Sequence, residues 1–141
     1  MPKVVFYDMP AQERLPWIAR LVERAWQREK RMLIHCGSDA EARELDEALW
    51  CADESSFIPH EIASEGAALA DSDARIVISV SEQNPHDATI LLAASPPSDA
   101  FAERFETVLE IVDRRDPAKL EASRSRYRSW RDRGVDVSYK K

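Results

Sequence analysis

Arg124, Tyr127, Arg128 and Arg131 are spaced i, i+3, i+4 and i+7. In a helix, residues at that spacing share one face. Three guanidinium forks would then surround one phenol ring. Guanidinium forks suit carboxylates and phosphates, and the ring supplies an apolar wall with a hydroxyl. Such a surface fits an acidic peptide, above all a terminal carboxylate beside an apolar side chain. The phosphates of a nucleic acid are the alternative anion, and a solvated basic face paired with the rest of the chain is the plainer reading. Trp50 and Phe57 form a second feature, bracketing the polar stretch Asp53-Glu54-Ser55-Ser56. They are either core residues or an aromatic patch that anchors a partner.

Other reactive residues offer less. Cys36 falls at the end of a short apolar run and just before a helix, where a thiol can be activated. No base or orienting acid accompanies it, so it reads as a small buried residue. His60-Glu61 and His86-Asp87 are isolated pairs, whereas a metal needs three or four converging ligands. Asp46 and Glu47 are adjacent and diverge on a helix. Only Gly37, Gly66 and Gly134 are glycine. The segment Asp8 to Glu13, after the first apolar run, has no glycine and no Lys-Ser/Thr pair, so it cannot form a phosphate cradle. The two cysteines make neither a disulfide framework nor a four-thiolate zinc site. The expectation is a protein without catalytic residues, metal or cofactor.

The elements that must carry these side chains follow from periodicity. Val4 to Tyr7, Met32 to Ile34, Ile76 to Val80 and Ala88 to Ala93 are short apolar runs that suit strands covered on both faces. Leu15, Ile18, Leu21, Val22, Ala25 and Trp26 make the stripe of one amphipathic helix. Ser38 followed by Glu41 has capping-box spacing, and opens a helix that buries Ala42, Leu45, Ala48 and Leu49. Ser55 to His60, with Pro59 inside it, is an edge or a connector. Ser98 or Asp99 caps a helix with Phe101, Phe105 and Val108, while Leu109 to Val112 fit helix or strand equally. Pro117 suits the first turn of a last helix ending at Gly134. The order predicts a single α/β/α domain over 1–141, three layers built on a mainly parallel sheet.

Charge is unevenly spread over the 141 residues. The net charge is −6, with 33% of residues charged and 44% hydrophobic, which marks a folded, highly charged domain. From Arg114 onward there are ten basic and four acidic residues, so this end carries +6 and the first 113 residues carry −12. The basic end is therefore a local anion-binding surface on an acidic body. No apolar run approaches the roughly 18–20 residues of a membrane span. No signal-peptide pattern precedes the first strand, so a cytoplasmic location is expected.

Leu45-Asp46-Glu47-Ala48-Leu49-Trp50, followed by Ser56-Phe57-Ile58-Pro59-His60, resembles the signature of the chi subunit of bacterial DNA polymerase III. The likeness extends to Phe6-Tyr7, to Lys30-Arg31-Met32-Leu33-Ile34 and to the basic stretch from Arg124 to Arg131, in the same order along almost the whole chain. The resemblance implies an accessory, non-catalytic subunit associated with the clamp loader. It implies an α/β/α fold like that of nucleotide-binding domains but lacking the nucleotide site. It also implies partners: the acidic C-terminal tail of single-stranded DNA-binding protein, the small psi subunit and, in some bacteria, a helicase that competes with psi. DNA would be reached only indirectly, and no membrane is involved.

Carried over position by position, the tail-binding residues of that family match Arg124, Tyr127 and Arg128, with Arg131 on the same face. Arg128 stands where the best-known members have lysine, and Trp130 where they have an aromatic residue. Phe57 matches a position used for psi and helicase docking, and Trp50 lies in the same region. The stretch between Asp113 and Leu120 is shorter than in those members and carries Arg114 and Arg115. Val135 to Lys141 is also shorter and divergent. Both departures bear on one wall of the tail pocket. Two readings compete with the adaptor: a single-stranded nucleic-acid-binding protein using the basic helix, and a helicase-associated repair adaptor.

Overall fold

Among the described residues, seven short strands form one sheet with helices on both sides; the inner strands are largely apolar and buried, the two edge strands partly polar. The computed structural model describes residues 2–51, 60–63, 75–84 and 87–140. The strands are β1 (Lys3–Tyr7), β2 (Met32–His35), β3 (His60–Ala63), β4 (Ile76–Ser79), β5 (Ile90–Ala93), β6 (Thr107–Ile111) and β7 (Asp136–Lys140). The helices are α1 (Arg14–Gln27), α2 (Asp39–Cys51), α3 (Asp99–Ala102) and α4 (Pro117–Asp132), with a 3-10 turn at Ala11–Glu13 before α1. The sheet order is β3-β4-β2-β5-β6-β1-β7, and all six pairings are parallel. This is the expected three-layer α/β/α architecture.

Strand side chains alternate between two cores, as the period of two requires. Val5, Tyr7, Met32, Ile34, Ile76 and Ile78 pack under Ile18, Leu21, Val22 and Ala25 of α1 and Ala42 and Leu45 of α2. Val4, Phe6, Leu33, Val77 and Leu91 pack on the opposite face with Phe101, Phe105, Val108 and Trp130.

The capping signals hold in part. Ser38 Oγ accepts from the Glu41 amide, at 3.2 Å. The Glu41 carboxylate does not reach back to complete the box; it accepts instead from Ser95 Oγ at 2.9 Å, tying α2 to the end of β5. Ser98, not Asp99, caps α3.

Two readings of the sequence change, and two that it left open are narrowed. The helix expected through Phe105 and Val108 stops at Ala102, because two turn hydrogen bonds at Arg104 and Phe105 lead the chain into β6. The undecided stretch Leu109 to Ile111 is strand, and β5 and β1 flank it on either side. Val135 to Lys141, read only as a divergent end, contributes strand β7 at the sheet edge. His60 opens strand β3 on the other edge, whereas Ser55 to Pro59 lie outside the described residues.

A carboxylate sits inside the second core. Glu110, on β6 beneath α4, is 3% exposed. It accepts from Ser123 Oγ at 2.8 Å, from Arg126 Nε at 2.7 Å and from Arg126 Nη2 at 3.0 Å. Burial raises its pKa, while the Arg126 and Ser123 hydrogen bonds pull it back down. Arg126→Ala strands this carboxylate and is expected to cost about 3 kcal/mol in urea unfolding. Replacing both Glu110 and Arg126 by leucine is expected to recover most of that loss, since an apolar pair needs no compensation.

Candidate functional site

The helix that carries the basic residues is held at both ends. Asp116 caps its start, accepting from the Ala118 amide at 2.9 Å, and Pro117 occupies the first turn. At the far end Gly134 has φ +77°, a left-handed conformation that glycine takes without strain. The Gly134 amide donates to the Arg131 carbonyl and the Val135 amide to the Trp130 carbonyl. That is a Schellman motif, completed by the burial of Trp130 and Val135 in the same core. The chain leaves it directly into β7.

Leu120, Ser123, Tyr127 and Trp130 turn toward the sheet, leaving Arg124, Arg128 and Arg131 exposed on one flank. Tyr127 is half-buried. Its ring stands edge-on to Phe6, with centroids 5.7 Å apart, and to Tyr139 at 5.6 Å. Arg131 lies over the same ring, 5.8 Å from its centroid. The four residues singled out by spacing therefore do converge. They line a shallow recess of about 410 Å³ together with Asp8, Arg114 and Tyr139.

Of those last three, Asp8 escaped the sequence reading of the site, while Arg114 and Tyr139 come from the two divergent segments that it set at one wall of the pocket. Asp8 follows β1, and its side chain is 2% exposed. It accepts from Arg114 Nε, from Arg114 Nη2 at 2.6 Å and from the Tyr139 hydroxyl. Burial and the Asp8 hydrogen bond push the Tyr139 hydroxyl up to about 12. Asp8 thus holds two walls of the recess, one from each segment that departs from the family pattern. The period-two alternation of Val137 and Tyr139 was the available signal, since both turn to the α4 side of β7.

The basic end is not one pool of free charge. Arg126 is bound to Glu110 and Arg114 to Asp8. Arg133 is bound to Glu103 and lies 3.4 Å from Asp99. Asp113 accepts from Arg115 Nε and Nη2, both at 2.9 Å, and Lys119 lies 3.8 Å away. The Arg115 hydrogen bonds hold the Asp113 carboxyl down to about 2, against a smaller opposing effect of burial. Around the recess the pairs are looser. Glu121 is 3.9 Å from Arg124 and 3.4 Å from Arg128, and Asp132 is 3.8 Å from Arg131. The three arginine side chains are 51%, 53% and 59% exposed. Pairs that exposed are weak and readily exchanged for an incoming anion.

Cys36 is fully buried, and burial together with Glu41 pushes its thiol up to about 12. A thiol protonated and enclosed in this way is no nucleophile, in keeping with the structural reading. His35 Nδ1 meets the Ser95 carbonyl at 2.6 Å. Among the described residues, no three His, Cys, Asp or Glu side chains cluster as metal ligands. The side chain of Trp50, at the end of α2, and the whole of Phe57 and His86 lie outside the described residues. No helix among the described residues is long and apolar enough to cross a membrane.

An α/β/α domain with a cation-rimmed aromatic recess, on a helix leading to an edge strand, is the class that fold and site define. The chain belongs to the DNA polymerase III chi subunit family: the family model described as DNA polymerase III chi subunit, HolC, matches residues 1–138. It is accordingly an accessory subunit of the polymerase holoenzyme, a component of DNA replication. DNA polymerase III subunit chi of Pseudomonas aeruginosa is 31% identical over 140 residues, covering 97% of this chain and 94% of the relative. The chi subunit of Escherichia coli is 30% identical over 122 residues, covering 86% of this chain and 80% of the relative. That of Haemophilus influenzae is 30% identical over 119 residues, covering 84% and 80%. The fold is also similar to the crystal structure of T4 UvsW, with a TM-score of 0.70 at 11% identity. The match covers 98% of this chain and 41% of that one.

The Tyr139 contact gives a direct test of the recess. Asp8→Asn removes the negative charge beside the phenol, so the Tyr139 pKa is expected to fall from about 12 toward the ordinary tyrosine value. Phenolate absorbance in a pH titration, with Tyr139→Phe as the blank, reads the shift. An unchanged titration would remove Asp8 from the wall.

Proposed function

We propose that this protein is a non-catalytic adaptor that binds the acidic C-terminal tail of single-stranded DNA-binding protein in the α4 recess. The whole chain, 1–141, acts as one domain in this reading. The supporting observation is the recess itself, where Arg124, Arg128 and Arg131 surround the half-buried Tyr127 ring and every pairing of these three cations is loose. Arg124 and Arg128 hold acidic groups or the terminal carboxylate, and Arg131 adds a third positive charge. Tyr127 and Tyr139 pack beside the last apolar side chain of the tail. Charge-assisted hydrogen bonds set the affinity, which falls with salt because the cations are exposed. The many tails on coated template raise a modest affinity by multivalency. DNA is then reached through its coating protein.

Trp50 and Phe57 serve a separate contact in this reading, with the psi subunit that links the protein to the clamp loader, or with a helicase. The topology supports separation. Trp50 lies at the end of α2, which packs against β3 and β4 at one end of the sheet. The α4 recess lies beside β7 at the opposite edge.

Titration with a peptide copying the tail of the cognate single-stranded DNA-binding protein tests the adaptor. The intact peptide is expected to bind at low salt, and removal of its last residue to weaken it. Arg128→Ala is expected to weaken binding about ten-fold, the loss of one charge-assisted contact. Phe57→Ala is expected to leave peptide binding intact and to weaken psi or helicase binding. Failure of the intact peptide to bind at low salt would sink the proposal. Tighter binding to bare single-stranded DNA, with a steep salt slope, would favour a nucleic-acid-binding protein instead.

A further inference from the structure

We propose a second docking surface on the opposite face of the sheet, a groove that takes an acidic peptide segment carrying apolar side chains. It has a volume of about 370 Å³ and runs between α1 and the edge formed by β1 and β7. Lys3, Arg24, Arg28, Lys30 and Lys140 line it, with Glu106 as the one carboxylate among its lining residues. All five cations are exposed, and among the described residues none is in an ion pair.

The cluster is assembled by the fold. Four of its five cations come from the first 113 residues, the part of the chain with net charge −12. Arg24 and Arg28 are one turn apart at the end of α1, Lys30 precedes β2, and Lys3 opens β1. The β1–β7 register sets Tyr7 opposite Lys140, so Lys3 and Lys140 lie about 13 Å apart along the strands. Glu106 in the lining and Asp136, opposite Lys3 in the β1–β7 register, offset part of this charge; the positive remainder repels itself, and an anionic segment relieves that repulsion.

The remaining lining selects among anions. The floor includes Val5 and the half-buried Ile90 and Leu109, which suits apolar side chains. The groove contains one aromatic ring, that of Tyr7, which is 7% exposed and packed against Trp17 with centroids 5.8 Å apart. Single-stranded nucleic acid needs exposed rings on which to stack its bases. Strand β7 ends the sheet, so its outer edge offers main-chain partners to an extended peptide lying beside Ser138 and Lys140. The surface is distinct from the α4 recess, since Ser138 and Lys140 point to one side of β7 and Val137 and Tyr139 to the other.

The test is made on the full chain with a short peptide alternating aspartate and leucine, and with inorganic phosphate and oligothymidylate as the other arms. The peptide is expected to shift the backbone amide resonances of Thr89, Thr107 and Ser138. The double variant Arg24→Glu, Arg28→Glu alters only exposed side chains, and folding is verified by circular dichroism. It is expected to weaken that response about ten-fold, as loss of close interfacial charge pairs does. Arg128→Ala is expected to leave the response unchanged, so this surface stands or falls independently of the adaptor reading. Shifts confined to α4 would overturn the proposal. So would equal shifts from phosphate alone, or oligothymidylate binding as tightly as the peptide and with the same loss in the double variant.

Discussion

A carboxylate buried under a helix is the constraint on which the functional surface depends. Glu110 lies in the α4-facing core, and in that place its charge is tolerable only because Arg126 and Ser123 supply donors. Those donors are three residues apart on α4, so satisfying Glu110 fixes the rotation of the helix about its axis. Arg124, Arg128 and Arg131 lie roughly half a turn from Arg126. Once Arg126 is drawn under the helix, they are held on the outer flank and Tyr127 at the boundary. Slippage by one residue would bury a guanidinium and expose Trp130. The pair adds little net stability of its own; its contribution is to make one orientation of the basic face much cheaper than any other.

The same logic sorts the remaining charges. Cations with buried or partly buried acceptors, such as Arg114 on Asp8 and Arg115 on Asp113, position loops and strand ends. Cations paired only to exposed carboxylates remain available, because water and salt compete for those pairs on nearly equal terms. A formal charge of +6 over the last residues overstates what an anion meets on one face, and it misses the cations that the opposite face collects from the acidic part of the chain.

Much of the architecture was legible because the core strands are continuous apolar runs and the helix boundaries are written in capping residues. Ser38, Ser98, Pro117 and Gly134 each act locally, within one turn of the backbone, so local sequence suffices to read them. The basic face was legible for the same reason, as helical spacing maps directly to a common surface. Strand β6 was ambiguous because Leu109, Ile111 and Val112 satisfy both periods. Strand β7 was missed because Asp136 to Lys140 is half polar and gains strand structure only by pairing with β1, which lies far away in sequence. The family signature around Trp50 and Phe57 was also readable, and of it the structure describes the α2 part, with Leu45 in the core.

By itself, then, the sequence determined the three-layer class, the helix carrying Arg124, Tyr127, Arg128 and Arg131, and the membership of the chi family. These rest on periodicity, capping and motif, each local in the chain. Only the tertiary structure decided that Asp8, Arg114 and Tyr139 complete the recess, since they come from three separate places along the chain. It also decided which arginines are consumed internally and that Lys3, Arg24, Arg28, Lys30 and Lys140 meet in one groove. Burial and charge pairing are properties of neighbours in space, and parallel strands make neighbours of residues that are remote in sequence.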